Sequence, residues 1–209
     1  NALDANTTGA INTVVGYNAM TNNSTGSQNT AIGVESMKAN TIGDLNAAVG
    51  YASLYSNTTG ERNTAIGRVS LHQNTSGDYN TGVGHSALNK NTTADYNTAV
   101  GYDALNENTT GANNVAVGAL ALDANTTGSH LTAVGYGALG ANTTASNNTA
   151  VGHDALHDNT TGNGNTAVGY LALQANTTAS ANTAVGSQCL KVLTTGQNNV
   201  CVGEESGMA

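Results

Sequence analysis

The sequence predicts an all-β fold, a parallel β-solenoid of twelve 17-residue coils. Three observations predict it. A Val-Gly or Ile-Gly pair recurs every 17 residues, and the segments between these pairs are rich in Thr, Asn and Ala. A repeat built from two helices, in contrast, needs about 33 residues. Each coil then has room for two strands of roughly four to five residues and two turns, and coils stacked about 4.8 Å apart make a rod about 55–60 Å long.

The register of the repeat is unbroken over the whole chain, with no insertion or deletion. The glycines that centre the coils are Gly16, Gly33, Gly50, Gly67, Gly84, Gly101, Gly118, Gly135, Gly152, Gly169, Gly186 and Gly203. We therefore interpret residues 1–209 as a single repeat domain. Because the chain begins and ends part-way through a coil, we expect it to be a piece of a longer fibre.

The consensus coil reads N-T-A-V-G-Y-x-A-L-x-A-N-T-T-G-x-x, and its positions are numbered 1 to 17 from the first Asn. The Gly at position 5 is expected to need a backbone conformation that a Cβ would forbid. The Asn at positions 1 and 12 are expected to form ladders, in which each side-chain amide bonds to those in the coils above and below. Ladder residues are Asn12, Asn29, Asn46, Asn63, Asn80 and Asn97 at position 1, and Asn57, Asn108 and Asn159 at position 12.

The large apolar residues at positions 4 and 9 are expected to fill the coil interior. They are represented by Val100, Val134 and Val168 and by Leu88, Leu105 and Leu139. Burying one Leu and one Val contributes roughly 3–6 kcal/mol, whereas ordering the backbone of one coil costs about 17–34 kcal/mol. A single coil therefore cannot fold alone, and stability must come from stacking.

Adjacent apolar residues in T-A-V and in A-L cannot both face the interior of an extended segment, because neighbouring side chains on a strand point to opposite faces. One apolar stripe is then left outside along the whole rod, and a long exposed apolar stripe marks an interface. The alternative is a tight turn that places both residues of a pair inside. We favour the association of identical rods, intertwined or side by side, about a shared axis.

Two groups of repeat proteins resemble this pattern. The phrases N-T-A-V-G-Y and N-T-A-I-G resemble the N-S-V-A-I-G motif in heads of trimeric autotransporter adhesins of the YadA type, although the usual repeat there is shorter than 17 residues. The longer phrase N-T-A-V-G-Y-x-A-L-x-x-N-T-T-G resembles repeat arrays of phage tail-fibre proteins. The resemblance covers essentially residues 1–209, and it implies a homotrimer of left-handed parallel β-rolls in a surface fibre.

Composition argues against several other classes of protein. A net charge of −8 with only five Lys and Arg disfavours nucleic acid, which requires clustered cations. No apolar run is long enough for membrane insertion as a helix. Cys189 and Cys201 do not make a disulfide framework, and we interpret them as small buried residues. No persuasive catalytic constellation is present, so we predict that the chain is not an enzyme.

One column of acidic residues suggests a ligand. Asp44, Glu61, Asp78 and Asp95 occupy position 16 of four successive coils. Aligned carboxylates repel each other unless they are screened or bridged by a cation, which makes Ca²⁺ the one candidate cofactor. The alternative is a solvated edge of the rod.

Aromatic and Thr columns suggest two further surfaces. Tyr79 and Tyr96 stack in adjacent coils and are candidate contacts for a cell-surface glycan, while the alternative is that Tyr covers a turn or seals an interface. The Thr pairs at positions 13 and 14 either support turns or form a flat ice-binding surface. Many N-T-T triplets are also N-glycosylation acceptor sequences, but the ladder role of these Asn is favoured.

These features predict a structural shaft or spacer of an extracellular fibre, either a phage tail fibre or a cell-surface adhesin, that supports host attachment. Its ends would be closed by capping domains or by end-to-end packing. The alternative is a ligand-binding solenoid that uses Thr or Tyr ladder faces for a glycan or for ice.

Overall fold

The structure is a computed structural model, and it describes residues 1–207. Within these residues there is no helix, and therefore none with the length and apolar character to cross a membrane. The strands are β1 (Thr13–Val15), β2 (Thr30–Ile32), β3 (Ala47–Val49), β4 (Thr64–Ile66), β5 (Thr81–Val83), β6 (Thr98–Val100), β7 (Val115–Val117), β8 (Thr132–Val134), β9 (Thr149–Val151), β10 (Thr166–Val168), β11 (Thr183–Val185) and β12 (Val200–Val202).

All twelve strands belong to one parallel sheet, and their order in the sheet is their order in the sequence. Neighbouring strands pair 17 residues apart, as in Thr81 with Thr98 and Val83 with Val100. The prediction of an all-β parallel solenoid with 17-residue coils is confirmed.

Each coil contains one strand of three residues, and the predicted second strand is wrong for residues 1–207. The rest of the coil consists of turns and bends that still bond to the neighbouring coils. The Thr109 N–H, for example, donates to the Thr126 carbonyl at 2.9 Å. Stacking therefore satisfies the backbone even where no strand geometry exists.

Left-handed residues explain why the second strand is lost. The Asp103 N–H at position 7 donates back to the His85 carbonyl of the preceding coil, whereas the Leu105 N–H at position 9 donates forward to the Ala121 carbonyl of the following coil. On a regular strand these two N–H groups would point the same way. Asp103 and Leu105 both adopt left-handed φ values, 51° and 53°, and this reversal ends the extended geometry.

The core is a column of Leu or Met at position 9, lined by small residues at positions 3 and 8. Leu88, Leu105 and Leu139 are completely buried, so the predictions for them are confirmed. Ala104 and Leu105 are consecutive and both buried. The tight-turn alternative is therefore correct for the A-L pair, because the left-handed residues turn both side chains inward.

The Val residues predicted for the core lie outside it. Val100 is 36% exposed, and Val134 and Val168 are half-buried on the outer surface of the sheet. The preceding Ala99 points inward and is completely buried. Strand alternation admits only one of the two residues, and the narrow interior beside the Leu column accepts the smaller one.

The Asn side chains form two ladders of different chemistry. At position 12 the amides bond directly to one another, as predicted: Asn108 Nδ2 donates to Asn91 Oδ1 at 2.9 Å and to the Gly111 carbonyl at 2.9 Å. At position 1 the side-chain oxygen instead accepts the main-chain N–H of the next Asn, as Asn46 Oδ1 does from Asn63 at 2.9 Å. Both columns are buried except in the end coils, and each replaces a water contact with a bond that fixes coil register.

Candidate interaction surface

The outer surface of the sheet is the most regular exposed surface of the rod. We call it the strand face: the residues at positions 2 and 4 of every coil. Position 2 is mainly half-buried Thr, and position 4 is always Val or Ile. The exposed members at position 4 are Val15, Ile32, Val49, Ile66, Val100, Val117, Val185 and Val202. This face is the second apolar stripe that the alternation argument anticipates.

A column of ring and cationic side chains borders the strand face. It is formed by the Tyr, His and Arg residues at position 6, which is separated from position 4 only by the Gly, and we call it the aromatic column. Other residues interrupt it at Val34, Ala119, Ser187 and Glu204. The Arg68 guanidinium carbon lies 5.6 Å from the centroid of the Tyr51 ring. Between ring centroids the distances are 5.5 Å for His85 and Tyr102, 5.1 Å for Tyr136 and His153, and 5.6 Å for His153 and Tyr170. Arg68 Nη1 lies 3.0 Å from His85 Nε2 and joins the first two pairs into one run.

The exposed apolar area on this side of the rod is large. The five Tyr of the aromatic column are 49–68% exposed. A buried aromatic side chain covers about 150–250 Å², so these rings alone expose about 400–700 Å². This sum is of the same order as the largest apolar patch of a typical monomer, about 300–600 Å². The five rings lie in separate coils, and the adjoining Val and Ile of the strand face add to their area. The surface is therefore a candidate interface.

The charges of the chain lie away from the strand face. None of the 13 acidic residues occupies position 2 or 4. Carboxylates elsewhere are paired in part, as in Lys90 with Glu107 at 2.6 Å, although exposed pairs of this kind contribute only about 0–1 kcal/mol. At the border, a hydrogen bond to the Asp103 carboxylate raises the pKa of Tyr102, so its hydroxyl stays neutral. Two strand faces can therefore approach without bringing like charges into contact.

The acidic column bonds to the main chain. Asp78 Oδ1 accepts the Glu61 N–H at 2.7 Å, and Asp95 Oδ1 accepts the Asp78 N–H at 2.7 Å. Asp44 does the same for the Ser27 N–H at 2.6 Å. Neutral side chains fill this role in other coils, since Ser129 Oγ accepts the Ala112 N–H. Within residues 1–207 no three His, Cys, Asp or Glu side chains form a group that could hold a metal ion, so no arrangement here supports the calcium hypothesis.

Tyr79 and Tyr96 stack as expected, with ring centroids 4.9 Å apart and an interplanar angle of 11°. Arg62, one coil before Tyr79, covers the opposite face of the Tyr79 ring at 5.3 Å and donates to its hydroxyl at 2.9 Å. A sugar would need a free ring face. Tyr96 and Arg62 occupy the two faces of Tyr79, which fits the alternative in which Tyr covers a turn. Within residues 1–207 no ring or cation stacks on the far face of Tyr96.

The two Thr columns differ in their bonding. At position 13 the hydroxyl donates to the carbonyl of the next coil, as Thr58 Oγ1 does to Thr75 at 3.0 Å, which is the turn role. At position 14 the side chains are exposed, and within residues 1–207 their hydroxyls make no hydrogen bond to protein. The position 14 column, for example Thr110, therefore presents free hydroxyls in a regular row, and so do the half-buried Thr at position 2 of the strand face, for example Thr81.

Sequence reasoning missed the two stacked runs of the aromatic column, Tyr51 to Tyr102 and Tyr136 to Tyr170. The Tyr that recur after the Gly were evident, but the Arg68, His85 and His153 that replace Tyr in other coils extend the same stack. Alignment of the coils places all of these residues at position 6, so the signal was present. The stacking interaction itself depends on planar groups that meet face to face at the spacing of the coils.

Residues 1–207 contain no pocket, so the candidate sites are surfaces. Comparison of the chain with protein-family models, curated proteins and solved structures found no match.

Proposed function

We propose that this chain is a rod-like structural spacer of an extracellular fibre, and that it assembles from copies of itself through the strand face. The proposal assigns it no catalytic role. The observation that carries the proposal is the exposed Val and Ile column, bordered by stacked rings, along a stack of twelve coils. An apolar surface of this length costs solubility unless it is covered.

The internal bonding of the rod supports a mechanical role. Each coil is tied to the next by parallel strand pairing, by two Asn ladders and by the Thr hydroxyls at position 13. These bonds run along the long axis, so bending the rod must stretch several of them together. A stiff rod of about 55 Å holds whatever is attached to its end at a fixed distance.

We propose three copies, as in the trimeric adhesin heads and tail fibres that the repeat resembles. The same resemblance supports a location on a cell surface or a virion and a role in host attachment. The strand face is repetitive and free of carboxylates, so three copies that turn it toward a shared axis bring apolar side chains together without like charges.

The test is the native mass of the purified 209-residue chain, measured by light scattering after size exclusion. We expect about three times the 20.8 kDa chain mass, with an elongated elution profile. The double variant Val100→Lys/Val134→Lys places cations on the strand face and should give a monomer. The matched variant Thr110→Lys/Thr144→Lys changes position 14 of the same two coils and should keep the wild-type mass. A monomeric wild-type chain, or equal behaviour of both variants, would overturn the proposal.

A second candidate function is a ligand-binding solenoid, favoured by the row of unpaired Thr hydroxyls at position 14. Binding of a glycan or of ice there would be reduced by the Thr110→Lys/Thr144→Lys variant and retained by the Val100→Lys/Val134→Lys variant. Glycan-array binding and thermal hysteresis of the two variants therefore separate this function from self-association.

A further inference from the structure

Positions 3 and 8 of neighbouring coils face each other across the core. Gly82 is position 3 of the fifth coil and Ser70 is position 8 of the fourth, and a Cβ built on Gly82 would lie 2.5 Å from Ser70 Oγ. In a disulfide, the partner sulfur lies about 3 Å from Cβ, as follows from the S–S bond of about 2.04 Å and ordinary bond angles. This pair of positions is therefore close enough for a disulfide after a shift of about half an ångström.

The two cysteines occupy this pair of positions. Cys201 is position 3 of the twelfth coil, and Cys189 is position 8 of the eleventh. Both are free thiols in the structure, and both contact the same atom: Ser206 Oγ lies 2.7 Å from Cys201 Sγ and 3.4 Å from Cys189 Sγ. The remaining coils carry smaller or unreactive residues there, mostly Ala, Ser or Gly.

We propose that Cys189 and Cys201 form an intramolecular disulfide that links strand β12 to the preceding coil. The inference rests on the core geometry and is independent of the proposed function. It goes beyond the interpretation of the two residues as small buried side chains, because the sequence alone does not show that positions 3 and 8 of successive coils meet.

The oxidant is a disulfide such as oxidised glutathione. Cys201 is half-buried and Cys189 is fully buried, so the oxidant meets Cys201 first. The Cys201 thiolate attacks one glutathione sulfur, which forms a mixed disulfide and releases one glutathione thiolate. The Cys189 thiol then loses its proton to solvent and attacks Cys201 Sγ, which releases the second glutathione. Two protein thiols are oxidised, and one glutathione disulfide is reduced to two thiols.

The roles of the two thiols are set by their surroundings. Burial, and then the neighbouring Cys201 thiol, raise the pKa of Cys189. Cys189 is therefore a poor first nucleophile and reacts only with a sulfur already delivered to the core. Because Cys189 is out of reach of another chain, the intramolecular bond is favoured over cross-linked dimers.

The first experiment measures bond formation. The folded chain is incubated with oxidised glutathione, blocked with iodoacetamide and weighed intact. We expect a mass lower than that of the reduced chain by two hydrogen atoms, with no added label. Trypsin cleavage after Lys191 should then leave two peptides that separate only on reduction. Retention of glutathione on Cys201, labelling of both thiols, or a reducible dimer would each overturn the proposal.

The second experiment measures the effect on the coils. A cross-link closing a loop of this size should slow hydrogen exchange of the β12 amides on the order of a hundredfold relative to the reduced chain. Cys201→Ala and Cys189→Ala restore the residue most common at these positions, so both should fold and show no dependence on oxidant. Equal exchange in the oxidised and reduced wild-type chain would contradict a strain-free bond between these positions.

Discussion

Asn176 and Leu193 occupy position 12 of successive coils, and the Asn176 side-chain oxygen is the one buried side-chain polar atom within residues 1–207 that lacks a hydrogen-bond partner. In the coil before it, Asn159 Oδ1 accepts from Asn176 Nδ2 at 2.8 Å. Leu193 has no amide to continue the ladder. One substitution therefore leaves a buried acceptor unsatisfied.

Restoring the ladder should stabilise the protein. Leu193→Asn supplies a donor to Asn176 Oδ1 and is expected to raise the free energy of unfolding by about 1 kcal/mol. Asn108→Ala breaks the ladder at its centre, removes the bonds to Asn91 and Gly111, and should lower it by about 3 kcal/mol or more. Urea unfolding followed by circular dichroism at one fixed protein concentration checks both. A loss of stability in Leu193→Asn would show that packing of Leu193 outweighs the missing bond.

The Gly at position 5 should resist substitution for a steric reason. Gly101 has φ of +142°, and a Cβ there would lie 2.5 Å from the Gly118 carbonyl oxygen of the next coil. Gly101→Ala is therefore expected to cost about 3 kcal/mol or more, from strain and forced separation of coils. Gly164 also has positive φ, +68°, but a Cβ there meets nothing within 4 Å. The control Gly164→Ala should cost only about 1 kcal/mol. Equal unfolding midpoints of the two variants would rule out the carbonyl clash.

Replacing a left-handed residue at position 17 by Gly should stabilise the protein. Ala181 is exposed and has φ of 58°, so Ala181→Gly should relieve about 1 kcal/mol of backbone strain. Ala175 lies in the same coil without positive φ, and Ala175→Gly should lose about 0.5–1 kcal/mol of stability through backbone entropy. Thermal unfolding should therefore show a higher midpoint temperature for Ala181→Gly and a lower one for Ala175→Gly than for the wild type. If both glycines destabilise, the left-handed geometry at position 17 is not the source of strain.

The acidic column should behave as a row of hydrogen-bond acceptors. Asp78→Asn keeps an oxygen for the Glu61 N–H and lowers repulsion in the column, so its stability should equal or exceed that of the wild type. Asp78→Ala leaves that N–H without its partner and should cost about 1–2 kcal/mol. Adding CaCl₂ or EDTA should leave the unfolding midpoint of the wild-type chain unchanged. A rise with Ca²⁺ that Asp78→Asn abolishes would establish the cation ladder instead.

Periodicity was sufficient to predict the coil length, the register and the parallel stacking, because the identities of Gly101, Asn108 and Leu105 each recur at one spacing. It was also sufficient to predict an outer apolar stripe, since alternation on a strand leaves one of two neighbours outside. The prediction was wrong about which of the two neighbours faces the interior. Hydrophobicity favours Val100 for the interior, but the available space admits only Ala99.

The left-handed turns of the coil could not be predicted from the sequence. Left-handed backbone is usually associated with Gly or Asn, yet Leu105 adopts it here because its N–H must bond to the opposite neighbour from that of Asp103. That requirement arises only once the coils are stacked. The same holds for Cys189 and Cys201, whose proximity depends on how the chain turns between positions 3 and 8.

The constant coil length also has a consequence for how the gene of such a chain can change. After loss or duplication of one 17-codon unit, the residues at positions 5 and 12 of each coil still lie next to those at positions 5 and 12 of the neighbouring coils. The new junction can therefore form the same kinds of bonds as the old one. Each such event alters the reach of the rod by about 4.8 Å and leaves its surface columns aligned. A change of any other number of codons shifts every later column out of register. Unequal recombination can therefore tune the length of this molecule in fixed steps while point mutation tunes its surface.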